Sequence, residues 1–172
     1  MKYFSRCLLC VCVVVLLGFL FPQKHRMPVQ GATASDYHPK SFWYYPWGKS
    51  VVHKGVDIFG KRGTPVYSAT TGIVLLTDRV SLGGKVVLVL TSQWRLHYYA
   101  HLDKITTTPF SWVTSQHQIG TLGDSGNAKG KPVHLHYAIV TLFPYLWRMD
   151  TDRQGWKKAF YLNPISYLEE EK

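Results

Sequence analysis

The chain contains eight histidines, and two short groups have the spacing of metal ligands. His53 and Asp57 stand four positions apart, and Gly55 between them favours an extended segment. His134 and His136 alternate with apolar residues, so both imidazoles point to one face of a predicted strand. Two such strands side by side would place four polar side chains on one concave surface. Neutral imidazole and carboxylate are ligands that Zn²⁺ accepts.

A third histidine segment, Leu96–Leu102, also alternates along a predicted strand. His97, Tyr99 and His101 are predicted to share one face. We expect His101 to reach the same cleft as an acid–base residue that binds no metal, and His97 to lie at its rim or in the core. The remaining histidines lie in linker or loop contexts and are predicted to face solvent: His25, His38 and His117.

Composition excludes several kinds of metal site. Glutamate occurs only at positions 169–171, so the helical HExxH site, with its glutamate base, is absent. All three cysteines lie between Cys7 and Cys12, so the rest of the chain has no thiolate nucleophile or ligand. Without thiolates, zinc is favoured over an iron–sulfur cluster or Cu(I). Of the zinc chemistries considered, the composition leaves hydrolysis at a zinc site assisted by histidines.

The elements that must position these residues are short β-runs separated by glycine. A chain of 172 residues predicts one globular domain, and the class is mainly β. The only candidate amphipathic helix is 150–162. The aromatic segment 141–158 is expected to pad the core rather than to wall a groove. The candidate strands are 51–58, 65–69, 73–78, 85–91, 94–101, 117–122 and 133–140.

The amino-terminal segment has the pattern of an export signal. Lys2 and Arg6 precede the apolar run Cys7–Phe21, which predicts an N-terminal hydrophobic helix that is short for a membrane span. The first small-residue cleavage motif, Ala32–Ala34, lies far from that run, so a cleaved signal peptide and an uncleaved anchor both stay open. We divide the chain into a signal peptide or membrane anchor (1–34), an aromatic lead-in (35–49), a catalytic domain (50–168) and an acidic tail (169–172).

Charge and export together indicate the kind of partner. The formal net charge of +10 favours anionic envelope polymers or lipid headgroups. Nucleic acid is not expected, because the chain has an export signal and no nucleic-acid-binding motif. The predicted location is the periplasm or the extracellular cell envelope, with anchoring at the inner membrane as an option.

The chain resembles the lysostaphin-type zinc endopeptidases, the LytM family, which cut peptide cross-links of bacterial peptidoglycan. The resemblance covers about residues 50–140 and 159–168. Before His134, the family's usual Gly- or Ser/Thr-rich stretch is replaced by 127–133, which carries two added positive charges. The matching stretches are His53–Ile58, Gly63–Ala69, Gly72–Val74, Tyr99–Leu102, Ile119–Gly120, Gly123–Gly126 and His134–Tyr137.

The resemblance implies a small, twisted antiparallel sheet with a groove across it. It further implies one zinc ion held by His53, Asp57 and His136, with His101 and His134 as the unligated catalytic pair. Stem or bridge peptides of peptidoglycan would be the substrate. A non-catalytic scaffold or activator of other hydrolases, and a structural zinc site, are the alternatives. Asp103 and Asp124 are candidates for carboxylates that orient the ligating histidines.

Overall fold

The computed structural model describes residues 2–169. Two antiparallel sheets make up the fold. The larger has seven strands in the order β1-β9-β5-β4-β3-β7, with β10 paired to β9, and the smaller has the order β2-β8-β6. The helices are α1 (Lys2–Leu20) and α2 (Pro164–Glu169). The strands are β1 (Val56–Phe59), β2 (Pro65–Tyr67), β3 (Gly72–Val80), β4 (Gly84–Thr91), β5 (Arg95–Leu102), β6 (Lys104–Ile105), β7 (Trp112–Val113), β8 (Gln118–Thr121), β9 (His134–Thr141) and β10 (Tyr161–Leu162).

The mainly β prediction is confirmed. The hairpin predicted between two apolar runs is β3–β4, closed by residues 81–83. In β4, Val86, Val87 and Val89 are all buried, which explains the nearly continuous apolar sequence of this strand. The helix predicted over 150–162 is wrong: that stretch contains only the 3-10 turn Gly155–Ala159 and the strand β10, and α2 begins at Pro164.

The core lies between the two sheets, and the segment before residue 35 contributes to it. Val29 is 2% exposed and forms a β-bridge with Val66. The Arg26 amide donates to the Ala69 carbonyl at 2.7 Å, and the Tyr67 amide donates to the Pro28 carbonyl at the same distance. Residues 26–29 are therefore integrated into the sheet region rather than forming a free linker.

The predicted N-terminal hydrophobic helix is present as α1, which contacts the turn between β4 and β5. The Trp94 indole donates to the Val15 carbonyl at 2.9 Å, and the rings of Phe19 and Phe143 lie 5.3 Å apart. Within residues 2–169, no helix combines the length and the apolar character needed to traverse a bilayer.

Candidate metal centre and catalytic histidines

The pairing of β1 with β9 brings the two sequence motifs together. Asp57 lies directly opposite His136, and Phe59 lies opposite His134. His53 precedes β1, and a Cβ at Gly55 would lie 2.5 Å from the Tyr137 carbonyl oxygen and 2.9 Å from His136 Cε1. Only glycine fits at this close approach, so Gly55 lets the chain bring His53 against β9.

Three potential ligand atoms form a compact triangle. His53 Nε2 lies 3.1 Å from both Asp57 Oδ1 and His136 Nδ1, and His136 Nδ1 lies 2.8 Å from Asp57 Oδ1. Among the residues that the structure describes, these three are the only group of His, Cys, Asp or Glu with this convergence. Ligands about 2.0 Å from a tetrahedral ion lie about 3.3 Å apart, so the triangle is close to that needed for zinc.

The surroundings of the triangle favour a cation. The Ser41 carbonyl accepts a hydrogen bond from His53 Nδ1 at 3.0 Å, which orients the ring with Nε2 towards the triangle. Burial alone would raise the pKa of the Asp57 carboxyl, but hydrogen bonds and charge interactions with His136 and His53 hold it well below its usual range. The carboxylate is therefore ionised at neutral pH. Two imidazoles and one carboxylate fit zinc by donor type.

His101 and His134 lie beside the triangle, and their rings are 5.0 Å apart. His101 Nδ1 donates to the Ser125 carbonyl at 2.8 Å, and His134 Nδ1 donates to the Pro132 carbonyl at 2.7 Å. Because a carbonyl only accepts hydrogen bonds, both rings carry a proton on Nδ1, and the Nε2 atoms are left free of these two bonds. Burial lowers the pKa of His101 to about 4, partly opposed by its bond to Ser125, so His101 is neutral at pH 7.

His101 reaches the site by a route that the strand pattern did not predict. His97 and Tyr99 are fully buried in the core, whereas Tyr98 lies on the side of the site, 6.4 Å from the His136 ring. If the side chains of β5 alternated regularly to its end, His101 would face the core together with Tyr99. Instead, His101 has a φ of 65°, and the β4–β5 register shifts between Lys85 and Val87. The shared face predicted for the three residues is wrong beyond Tyr99, because the backbone turns at His101.

The lead-in 35–49 contributes to the site, which sequence reasoning missed. Residues 43–53 fold back on themselves, since the Trp43 amide donates to the His53 carbonyl at 2.6 Å and the His53 amide donates to the Tyr44 carbonyl at 2.9 Å. This places the Trp47 ring on the His53 ring, with centroids 4.1 Å apart and planes 29° apart. The density of aromatic residues was the only signal in the sequence.

The remaining histidines, two carboxylates and the aromatic segment match the sequence-based predictions only in part. His97 is in the core, and His38 and His117 are exposed, as predicted. His25 is buried against His97 and not solvent-facing, so that prediction is wrong. Asp103 and Asp124 bind Arg62 instead of orienting a histidine. In the 141–158 segment, Tyr145 packs against the core as predicted, but Leu146 and Trp147 do not, since they are 64% and 80% exposed.

Residues 51–145 match the model of Peptidase family M23. The chain belongs to this family. The DD-endopeptidase ShyA of Vibrio cholerae, a peptidoglycan endopeptidase, is 29% identical over 69% of this chain and 27% of its own length. This chain therefore spans about a quarter of that curated relative.

Solved structures agree with the family assignment. Lysostaphin from Staphylococcus simulans superposes with a TM-score of 0.65 at 20% identity, over 86% of this chain and 54% of that chain. A zinc containing peptidase from Vibrio cholerae superposes with a TM-score of 0.56 at 26% identity, over 69% of this chain and 36% of that chain. The resemblance and the lysostaphin-like fold predicted from the sequence are confirmed.

Proposed function

We propose that this M23 family member is a zinc-dependent endopeptidase that hydrolyses peptide cross-links of bacterial peptidoglycan. The observation that carries the proposal is the triangle of His53, Asp57 and His136, whose ligand atoms lie 2.8–3.1 Å apart. These three residues would hold one zinc ion. When bound, zinc supplies Lewis-acid polarisation of a carbonyl and lowers the pKa of water to about 7.

His101 and His134 are the proposed catalytic residues. Each presents its Nε2 beside the triangle because its Nδ1–H is bound to a backbone carbonyl. One of the two imidazoles accepts a proton from the attacking water as the new C–O bond forms. The same ring then passes that proton to the leaving amine as the C–N bond breaks, while the second ring accepts a hydrogen bond from the attacking water and orients it.

The substrate and location follow from the same proposal. ShyA is named for its action on peptidoglycan, and a protein that acts on this polymer must be exported to the cell envelope. Residues 1–21 would direct that export, as a cleaved signal or as an anchor. Because Val29 lies in the core, we propose that residues 22–34 stay with the domain whichever of the two applies.

The test compares zinc content with release of soluble fragments from purified peptidoglycan. His53→Ala should lose both zinc and activity. His101→Ala should retain zinc and lose activity about 10²–10⁴-fold, the usual range for an acid–base group. His117→Ala, at an exposed position, is the matched control and should behave as wild type.

Two results would refute the proposal. Zinc-loaded wild-type protein that releases no muropeptides would favour a non-catalytic scaffold or a structural zinc site. Full activity in His101→Ala would remove that residue from the mechanism. Mass spectrometry of the products identifies the bond that is cut, and amino-terminal sequencing of the mature protein identifies any cleavage.

A further inference from the structure

A cavity of about 650 Å³ lies at the end of β5, beside the loop that holds His101. Its walls come from the ends of β3 and β5, the start of β4, and the loop 124–129. Two lining side chains are carboxylates, Asp103 and Asp124. Four are cationic: Arg62, Arg79, Lys85 and Lys129.

The two carboxylates are already occupied by one of these cations. Arg62 lies 2.5 Å from Asp124 and 3.2 Å from Asp103, and this contact lowers the pKa of the Asp124 carboxyl. Lys85 Nζ donates to the Asp103 backbone carbonyl, which carries no charge. Over residues 2–169, Arg79, Lys85 and Lys129 have no ion-pair partner. The cavity therefore has positive charge in excess.

A smaller cavity of about 430 Å³ continues this basic surface. It shares Arg79 and Lys85 with the first cavity and adds Lys104 and one carboxylate, Asp78. The cations thus form a strip along one end of the large sheet rather than a single isolated group.

Ser125 connects the larger cavity to the catalytic histidines. Its carbonyl accepts from His101 Nδ1, while its hydroxyl accepts from the Lys85 amide at 2.9 Å and donates to the Leu102 carbonyl at 2.8 Å. Ser125 and Leu102 both line the cavity. An occupant of the cavity would therefore contact the same loop that holds the His101 tautomer.

We propose that this cavity binds a free carboxylate of the peptide substrate on the His101 side of the metal centre. The inference rests on the proposed function and assigns a substrate class, namely peptides with an ionised carboxylate near the scissile bond. Arginine offers a planar fork of donors that suits a carboxylate, and lysine adds a point charge. Arg79 and Lys129 are the specificity-determining residues.

The experiment uses the full-length chain and two cross-linked muropeptide dimers, one with free stem-peptide carboxylates and one with those carboxylates amidated. Wild-type protein should show a kcat/KM about tenfold higher for the free dimer, the effect expected of a charge-assisted hydrogen bond. Arg79→Gln/Lys129→Gln should bring the ratio close to one by lowering kcat/KM on the free dimer. Lys24→Gln/Lys40→Gln removes two exposed charges outside the cavity and should keep the wild-type ratio.

A wild-type ratio close to one would overturn the proposal, as would a ratio that survives in Arg79→Gln/Lys129→Gln. Calorimetric binding to His53→Ala separates this proposal from the proposed function, because that variant should bind the dimers without cutting them. Tighter binding of the free dimer to His53→Ala, with no cleavage by wild type, would support the cavity and refute the hydrolase. Cleavage of both dimers at equal rates would support the hydrolase and refute the carboxylate-binding cavity.

Discussion

Two groups of histidines lie in this small sheet, and they differ in what surrounds them. In the metal centre, His53 and His136 converge on the ionised Asp57. On the other side of β9, His25 and His97 stack with ring centroids 5.4 Å apart near Arg95, and Nε2 of each is buried without a hydrogen-bond partner. The ionised Asp57 carboxylate makes the first group a candidate cation site. Burial, aided by the Arg95 charge, keeps the second group neutral.

The largest expected effect is a loss of zinc affinity when the Asp57 carboxylate is removed, which leaves the first group without a carboxylate, like the second. Asp57→Asn keeps the shape of the side chain and removes the negative charge. Zinc affinity should therefore fall by more than about hundredfold, which exceeds the usual effect of mutating a residue that only orients a ligand. Zinc titration against a chelating dye measures this. His25→Gln is the control and should bind zinc as wild type does, whereas a wild-type affinity in Asp57→Asn would contradict the assignment of the ligand.

Acid should destabilise the protein through the second group. Burial, followed by the Arg95 charge, lowers the pKa of His25 to about 4, and burial lowers that of His97 well below its usual value. Because the unfolded chain protonates first, near pH 6.5, stability is complete above that pH and is lost as the pH falls towards 4. For His25 alone the loss is on the order of 3 kcal/mol.

Urea unfolding at pH 7 and pH 4 in the presence of a chelator measures this loss. His25→Gln should lose less stability on acidification than wild type, while His38→Gln, at an exposed position, should lose as much as wild type. If His25→Gln and wild type lose the same stability on acidification, the His25–His97 stack does not bind protons differently in the folded and unfolded chains.

The smallest effect is expected from the aromatic ring on His53. Each group contains a stacked imidazole, but His53 is also held by Asp57 and by the Ser41 carbonyl. Trp47→Ala should therefore weaken zinc binding only about tenfold, and Trp47→Phe should restore most of it. The visible spectrum of the cobalt-substituted protein reports any change in ligand geometry, and an unchanged spectrum and affinity in Trp47→Ala would exclude a positioning role.

Spacing predicted the part of the centre that depends on regular strands. His134 and His136 share a face because β9 alternates, and Asp57 meets His136 because β1 is its direct neighbour. The backbone turn at His101 was not predictable, since it depends on a register shift against β4. The contribution of Trp47 and the burial of His25 depend on contacts between segments distant in sequence, which no local pattern encodes.

The β-bridge between Val29 and Val66 limits where the leader could be trimmed. A protease cutting after Ala34 would remove Val29 from the interior, and filling that gap with water would cost roughly 2 kcal/mol in lost apolar burial alone. It would also leave the Tyr67 amide without the Pro28 carbonyl. Cleavage at that point would therefore weaken the domain, whereas a form that begins upstream of Arg26 would keep the sheet intact.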